Sequence, residues 1–150
     1  MRKVAKWTVI ALGVPLLLIQ FVRPERANPQ FDPAWSLESR TQMPAEVAAI
    51  IDRSCKDCHS NETHWPWYSN VAPVSWLVAD DVKAGRHQLN FSEWARYSRD
   101  EANARFTYMA FTVREGTMPK PSYLRLHPGA KLTDEEIETL CRWIDEQTAR

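Results

Sequence analysis

The chain has 150 residues, enough for one domain of ordinary size and too few for two well-filled ones. Apolar residues make up 44% and charged residues 25%, which excludes a charged disordered tail and fits a folded globule. Lysine plus arginine equals aspartate plus glutamate at 19 each, so no global basic field exists to hold nucleic acid.

The amino terminus departs from that balance. Arg2, Lys3, Lys6, Arg23 and Arg26 against Glu25 give residues 1–26 a charge of +4 and leave −4 on the remainder. Between the basic clusters, the 16 residues from Trp7 to Val22 carry no charge. As a helix they would extend about 24 Å. That is a little short of a bilayer core of about 30 Å, but Trp7 and the flanking arginines suit an interface. A small-x-small cleavage site is missing: in Glu25-Arg26-Ala27 a glutamate stands where a small residue is needed. Residues 1–23 are therefore predicted to be an uncleaved transmembrane anchor, with a cleaved signal peptide as the alternative. Arg2, Lys3 and Lys6 would stay cytoplasmic. The expected placement is a single pass through the inner membrane with the carboxy-terminal domain periplasmic.

Residues 24–43, punctuated by Pro24, Pro29 and Pro33, read as an extended linker, and residues 44–150 as the domain. Pro44 suits the first turn of a helix, and Val47, Ile50, Ile51 and Ser54 follow on one face. Asn61 to Pro73 is an aromatic, proline-broken loop. A second helix is predicted from Val74 towards Lys83, with Leu77, Val78 and Val82 inward and Gly85 as its stop. Asn90 with Glu93, and then Ser98 with Glu101, are capping pairs. The helix after Ser98 carries Ala102, Phe106, Met109, Ala110 and Val113 on one stripe and ends at Gly116. Prolines and Gly129 keep residues 117–131 irregular. The capping box Thr133 to Glu136 opens a last helix with Ile137, Leu140, Cys141 and Ile144 inward and Trp143 beside them. No segment alternates with period two for long enough to be a strand. The expected fold is all-α, one domain of three or four helices behind the anchor.

At the end of the first domain helix stands Cys55-Lys56-Asp57-Cys58-His59, the C-x-x-C-H pattern of c-type haem attachment. Cysteines three apart share one side of a helical turn, so both sulfurs can reach the two vinyl groups of one porphyrin. The histidine directly after the second cysteine is carried beneath the ring, where it can coordinate iron. A thiol redox pair would be expected after a strand, and a zinc site would need further ligands at matched spacing. Cys141, His64, His87 and His127 are scattered. A disulfide across three residues would close almost no loop.

Met118, in Gly116-Thr117-Met118-Pro119, is the leading candidate for the second axial position. A thioether is a soft neutral ligand that favours ferrous iron, and the flanking prolines stiffen the loop that would hold it. Met109 fits a core position instead. His127 is the rival ligand, and an open sixth position, suited to binding a small molecule, is the other alternative. Trp65, Trp67 and Tyr68 are expected to cover the haem edge, and Arg125 could serve a propionate. Cys141 reads as a small hydrophobe. No base-and-nucleophile pair or paired carboxylates stand out, so the chain is not expected to be an enzyme.

These segments resemble the small bacterial haem-binding domain family of cytochrome c type. The resemblance is carried by Cys55 to Asn61, Pro66 to Ser69, Pro73 to Trp76, Leu89 to Glu93, Met118-Pro119, Ser122-Tyr123 and His127 to Thr133. It implies a small cytochrome c-like helical domain wrapped around one covalent haem c on Cys55 and Cys58, with His59 proximal and Met118 in the family's Met-Pro position. The function expected is single-electron transfer between redox partner proteins on the periplasmic side. A haem-based sensor or accessory subunit with an open iron site is the alternative, and a zinc-binding interaction module a more distant one.

Overall fold

The computed structural model describes residues 2–149, without the side chains of Arg2, Lys3 and Ala5. Met1 and Arg150, the outer ends of the expected anchor and domain, lie outside the described residues, as do the two side chains of its basic flank at Arg2 and Lys3. Among the described residues there are eight α-helices, several 3-10 turns and no strand. The all-α expectation holds.

The anchor does not. Helix α1 (Arg2–Leu18) has 17 residues, and no helix among the described residues is long and apolar enough to cross a membrane. Its first turns spend Arg2, Lys3 and Lys6, and Pro15 sits near its end, where a 3-10 turn (Ile19–Phe21) replaces the α-helix. The uncharged run is thus divided between two kinds of helix and does not form one span. The expected transmembrane helix, and with it the single-pass inner-membrane placement, is overturned.

The stretch that follows lies against the rest of the chain. The Gln20 side-chain amide donates to the Ala72 carbonyl (3.0 Å) and accepts from its N–H (2.9 Å). Trp76 Nε1 donates to the Val22 carbonyl at 2.7 Å. Arg86 donates to Ala27 O, Asn28 Oδ1, Ser60 O and Thr63 Oγ1, all within 2.7–2.9 Å. One guanidinium therefore ties residues 27–28 to the segment just after His59. Helix α2 (Leu37–Arg40) adds Leu37, fully buried, to the core.

The core lies between helix α3 (Ala45–Ser54), helix α6 (Arg99–Arg114) and helix α8 (Asp134–Thr148). All four expected inward residues of α3 are buried: Val47, Ile50, Ile51 and Ser54. Of the three expected capping pairs, Ser98 with Glu101 and Thr133 with Glu136 form full capping boxes, whereas Asn90 accepts from the Ser92 N–H and Glu93 pairs with Arg96 instead. Phe106 packs between Trp94 (centroids 4.5 Å) and Trp143 (5.4 Å, edge-on), which joins α6 to α8 and to the 3-10 segment Phe91–Arg96.

Helix α5 (Val74–Gln88) departs from expectation twice. Its buried face is Ser75, Ala79 and Val82, so Leu77 falls on the opposite side and is exposed. Gly85 does not stop it. The helix continues to Gln88, and Gly85 is the point of closest approach to the short helix α4 (Lys56–His59): a Cβ there would run into the Cys58 carbonyl. A helical glycine here is required by packing, not by termination.

Candidate functional site

Helix α3 ends at Ser54, and Cys55 (φ −128°, ψ −39°) is the junction from which α4 starts at a new angle. The Cys55 carbonyl accepts from both Cys58 N–H (3.2 Å) and His59 N–H (3.1 Å), closing the turn. The two intervening side chains are engaged elsewhere. Lys56 pairs with Glu38 (3.0 Å) and Asp52 (3.6 Å). Asp57 accepts from Tyr123 Oη (2.8 Å) and from the His64 N–H (3.1 Å). Cys55, Cys58 and His59 line one cavity of about 450 Å³, within the range of small-molecule and cofactor sites.

His59 Nδ1 lies 3.0 Å from the Leu89 carbonyl. That contact makes Nδ1 the donor and leaves Nε2 as the nitrogen with a lone pair, the arrangement by which proteins orient a ligating histidine. Burial lowers the imidazole pKa, opposed by its hydrogen bonds to the Leu89 and Gly85 carbonyls, with Lys120 lowering it further. A neutral ring is favoured. Burial also raises the thiols, Cys55 to about 12 with help from Cys58, and Cys58 to about 11 with help from Asp81 and Asp57. Neither thiol resembles the low-pKa cysteine of a thiol-redox motif.

The rest of the lining comes from α5, α6 and the loop after α6. Helix α6 ends in a Schellman motif: Gly116 is left-handed (φ +65°), its N–H donates to Val113 O (3.1 Å), and Thr117 N–H donates to Thr112 O (3.0 Å). This cap turns the chain back so that Met118, whose N–H also reaches Thr112 O (3.2 Å), lines the cavity. Two residues on, Lys120 is ion-paired with Asp81 of α5. Met109 is buried in the core as expected, and it too borders the cavity.

The other candidates lie elsewhere. His127 stacks on Tyr123 (centroids 4.0 Å, 16°) and meets Tyr68 Oη at 3.3 Å, and it does not line the cavity. The His64 side chain is 94% exposed beside Asp57, and His87 is exposed. Trp65, Trp67, Tyr68 and Arg125 do not line the cavity. Sequence reasoning missed Arg105, which does. Its signal was a second face on α6: Arg105, Met109 and Thr112, spaced i, i+4, i+7, all border the cavity.

Three buried side-chain nitrogen or oxygen atoms among the described residues lack a hydrogen-bond partner: Ser54 Oγ, Arg105 Nε and Gln147 Nε2. The first two belong to residues that line this cavity. Orphaned polar groups, two thiols on one side and an oriented imidazole fit a porphyrin bearing both an apolar face and carboxylates. No three His, Cys, Asp or Glu side chains gather as a metal-binding cluster among the described residues, so the zinc alternative finds no donor set there.

A family model described as a haem-binding domain matches residues 14–146. Cytochrome c peroxidase Ccp of Escherichia coli (strain K12) is 25% identical over 104 residues, which is 67% of this chain and 22% of that protein. The chain thus spans well under two thirds of the curated relative's length. No solved structure matches.

Proposed function

Because the chain belongs to the haem-binding domain family, we propose that it holds one haem covalently through Cys55 and Cys58 and passes single electrons between partner proteins. The observation that carries this reading is the convergence of Cys55, Cys58, His59 and Met118 on one cavity. When bound, the haem supplies an iron that cycles between its ferric and ferrous states. Cys55 and Cys58 offer two thiols from one turn, each able to add across a vinyl group as a thioether. His59 presents Nε2 because the Leu89 carbonyl occupies Nδ1. Met118 offers a neutral sulfur from the loop after α6 on the same cavity, and a thioether favours the ferrous state. The chain on this reading is an electron carrier and performs no substrate turnover. The resemblance to part of a cytochrome c peroxidase supports haem chemistry at the site.

The test is to express the chain with a haem-attachment machinery and record its intact mass and alkaline-pyridine spectrum. A porphyrin adduct that survives denaturation is expected, and it disappears in Cys55→Ala/Cys58→Ala. A bare polypeptide mass would end the covalent reading. The oxidised protein should be low-spin with a sulfur-to-iron charge-transfer band that Met118→Ala abolishes. High-spin iron that readily takes up carbon monoxide in the unsubstituted protein would remove Met118 from the iron and favour an open site.

A further inference from the structure

We propose that Arg105 is the residue that grips the carboxylate of the bound porphyrin; this rests on the haem reading above. Arg105 lines the cavity from α6, and its Nε is buried without a hydrogen-bond partner. An arginine cannot relieve such a position by losing its proton, so an unmatched donor there calls for an acceptor. The guanidinium is also held in place: its Cζ lies 4.1 Å from the centroid of the Tyr97 ring. Tyr97 is fixed in turn, because its Oη accepts the Asn90 N–H at 3.0 Å.

Hydrogen bonds from Ser98, and to a smaller extent the Arg105 charge, hold the Glu101 carboxyl low, but Glu101 does not close into an ion pair with Arg105. Among the described residues Arg105 takes part in no ion pair. Glu101, one turn earlier on the helix, is committed to the N–H and hydroxyl of Ser98 at 2.8 and 2.9 Å. The other cation bordering the cavity, Lys120, already has Asp81. Arg105 is thus a cation held on Tyr97 at the wall of a mostly apolar cavity, with no ion pair of its own among the described residues. A planar carboxylate is the group that this geometry receives best, and haem carries two of them as propionates. Arg125, the candidate from sequence, is exposed and away from the cavity.

The experiment uses the full chain without attached haem, titrated under reducing conditions with haem and, separately, with its dimethyl ester, which keeps the ring and removes both carboxylates. The proteins are the unsubstituted chain, Arg105→Met and Arg105→Lys. We expect Arg105→Met to weaken binding of the free acid by about tenfold to a hundredfold, as for loss of a charge-assisted hydrogen bond. Its affinity for the ester should stay within about twofold of the unsubstituted chain, and Arg105→Lys should fall between on the free acid. Equal weakening of both porphyrins by Arg105→Met would make Arg105 a packing residue and overturn the inference, with the haem reading intact. So would an unsubstituted chain that binds ester and free acid alike. If that chain binds neither porphyrin, this inference falls, while the haem reading still stands or falls on the attachment test above.

Discussion

Gly85→Ala separates the packing account of helix α5 from the ordinary expectation for a helical glycine. In a helix interior alanine is favoured over glycine by about 1 kcal/mol, so by propensity alone the variant should gain stability. At Gly85, however, the added methyl group meets the carbonyl oxygen, the carbonyl carbon and the Cβ of Cys58. Two of these are backbone atoms, in a turn closed by two hydrogen bonds to Cys55. They cannot rotate away as the end of a flexible side chain would. Overpacking a tight contact costs about 1–3 kcal/mol, and an unyielding backbone places this case near the top of that range. The net expectation is a loss of about 2 kcal/mol, or a fall in Tm of about 4–8 °C for a chain of this size. Thermal unfolding of the chain without haem, followed by circular dichroism, measures it. Gly13→Ala in helix α1 is the control, because nothing lies within 4 Å of a Cβ there. If Gly85→Ala raises Tm as the control does, α5 is not pressed against the cysteine turn and the argument is refuted. If the reasoning is sound, Gly85→Ala also lowers the yield of haem attachment, since the turn carrying Cys58 and His59 must shift.

Three other substitutions or conditions probe the same walls. Gly116→Ala places a Cβ on a left-handed residue (φ +65°) with open space around it, so its cost is conformational, about 1–2 kcal/mol. Chemical denaturation should show that loss, and Gly116→Asn should lose less. His59 has its pKa lowered from 6.5 in the folded chain, chiefly by burial. The unfolded chain therefore binds the extra proton first, and stability without haem is full above about pH 6.5 and declines as pH falls through the folded value. His59→Gln should flatten that limb in a pH series of denaturation midpoints; an unchanged slope would mean another group is responsible. Asp81→Asn breaks the pair with Lys120, whose side chains are 34% and 43% exposed. Such a bridge contributes only about 0.5 kcal/mol, visible at low ionic strength and screened away by salt.

How far the molecule could be read from its residues depended on whether the information was local. The end of α3, the cysteine turn and the capping boxes at Ser98 and Thr133 each lie within a few consecutive residues, and these formed as expected. The buried stripes of α6 and α8 also followed from helical spacing. What could not be read was set by neighbours distant in sequence. Gly85 looks like a helix stop until Cys58 is placed against it. Leu77 looks inward until the small residues Ser75 and Ala79 take the buried face. Arg105 sits in a polar-looking stretch of α6, and only the tertiary structure shows its Nε buried without a partner. The anchor failed for a more local reason. Composition registered sixteen uncharged residues, but the backbone divides them, with the α-helix ending at Leu18 and a 3-10 turn following.

The choice between Met118 and His127 turns on which side chain has an unoccupied donor atom facing the cavity. Both stand between α6 and α8, in a segment expected to be irregular that instead folds a one-turn helix, α7 (Pro121–Leu124), between them, and residue type alone left both open. His127 is already engaged at both nitrogens: Nδ1 lies 3.2 Å from the Tyr123 carbonyl, and Nε2 lies 3.3 Å from Tyr68 Oη. Its ring is stacked on Tyr123, whose hydroxyl in turn donates to Asp57 inside the C-x-x-C-H turn. To reach the cavity it would have to abandon the stack and both polar contacts. Met118 gives up nothing comparable. Its one hydrogen bond is through the backbone N–H, and the Schellman turn at Gly116 already delivers it to the cavity wall with a sulfur that has no competing partner to leave. The stacked network around His127 then has a different consequence: through Tyr123 it braces Asp57, and with it the turn that presents both thiols.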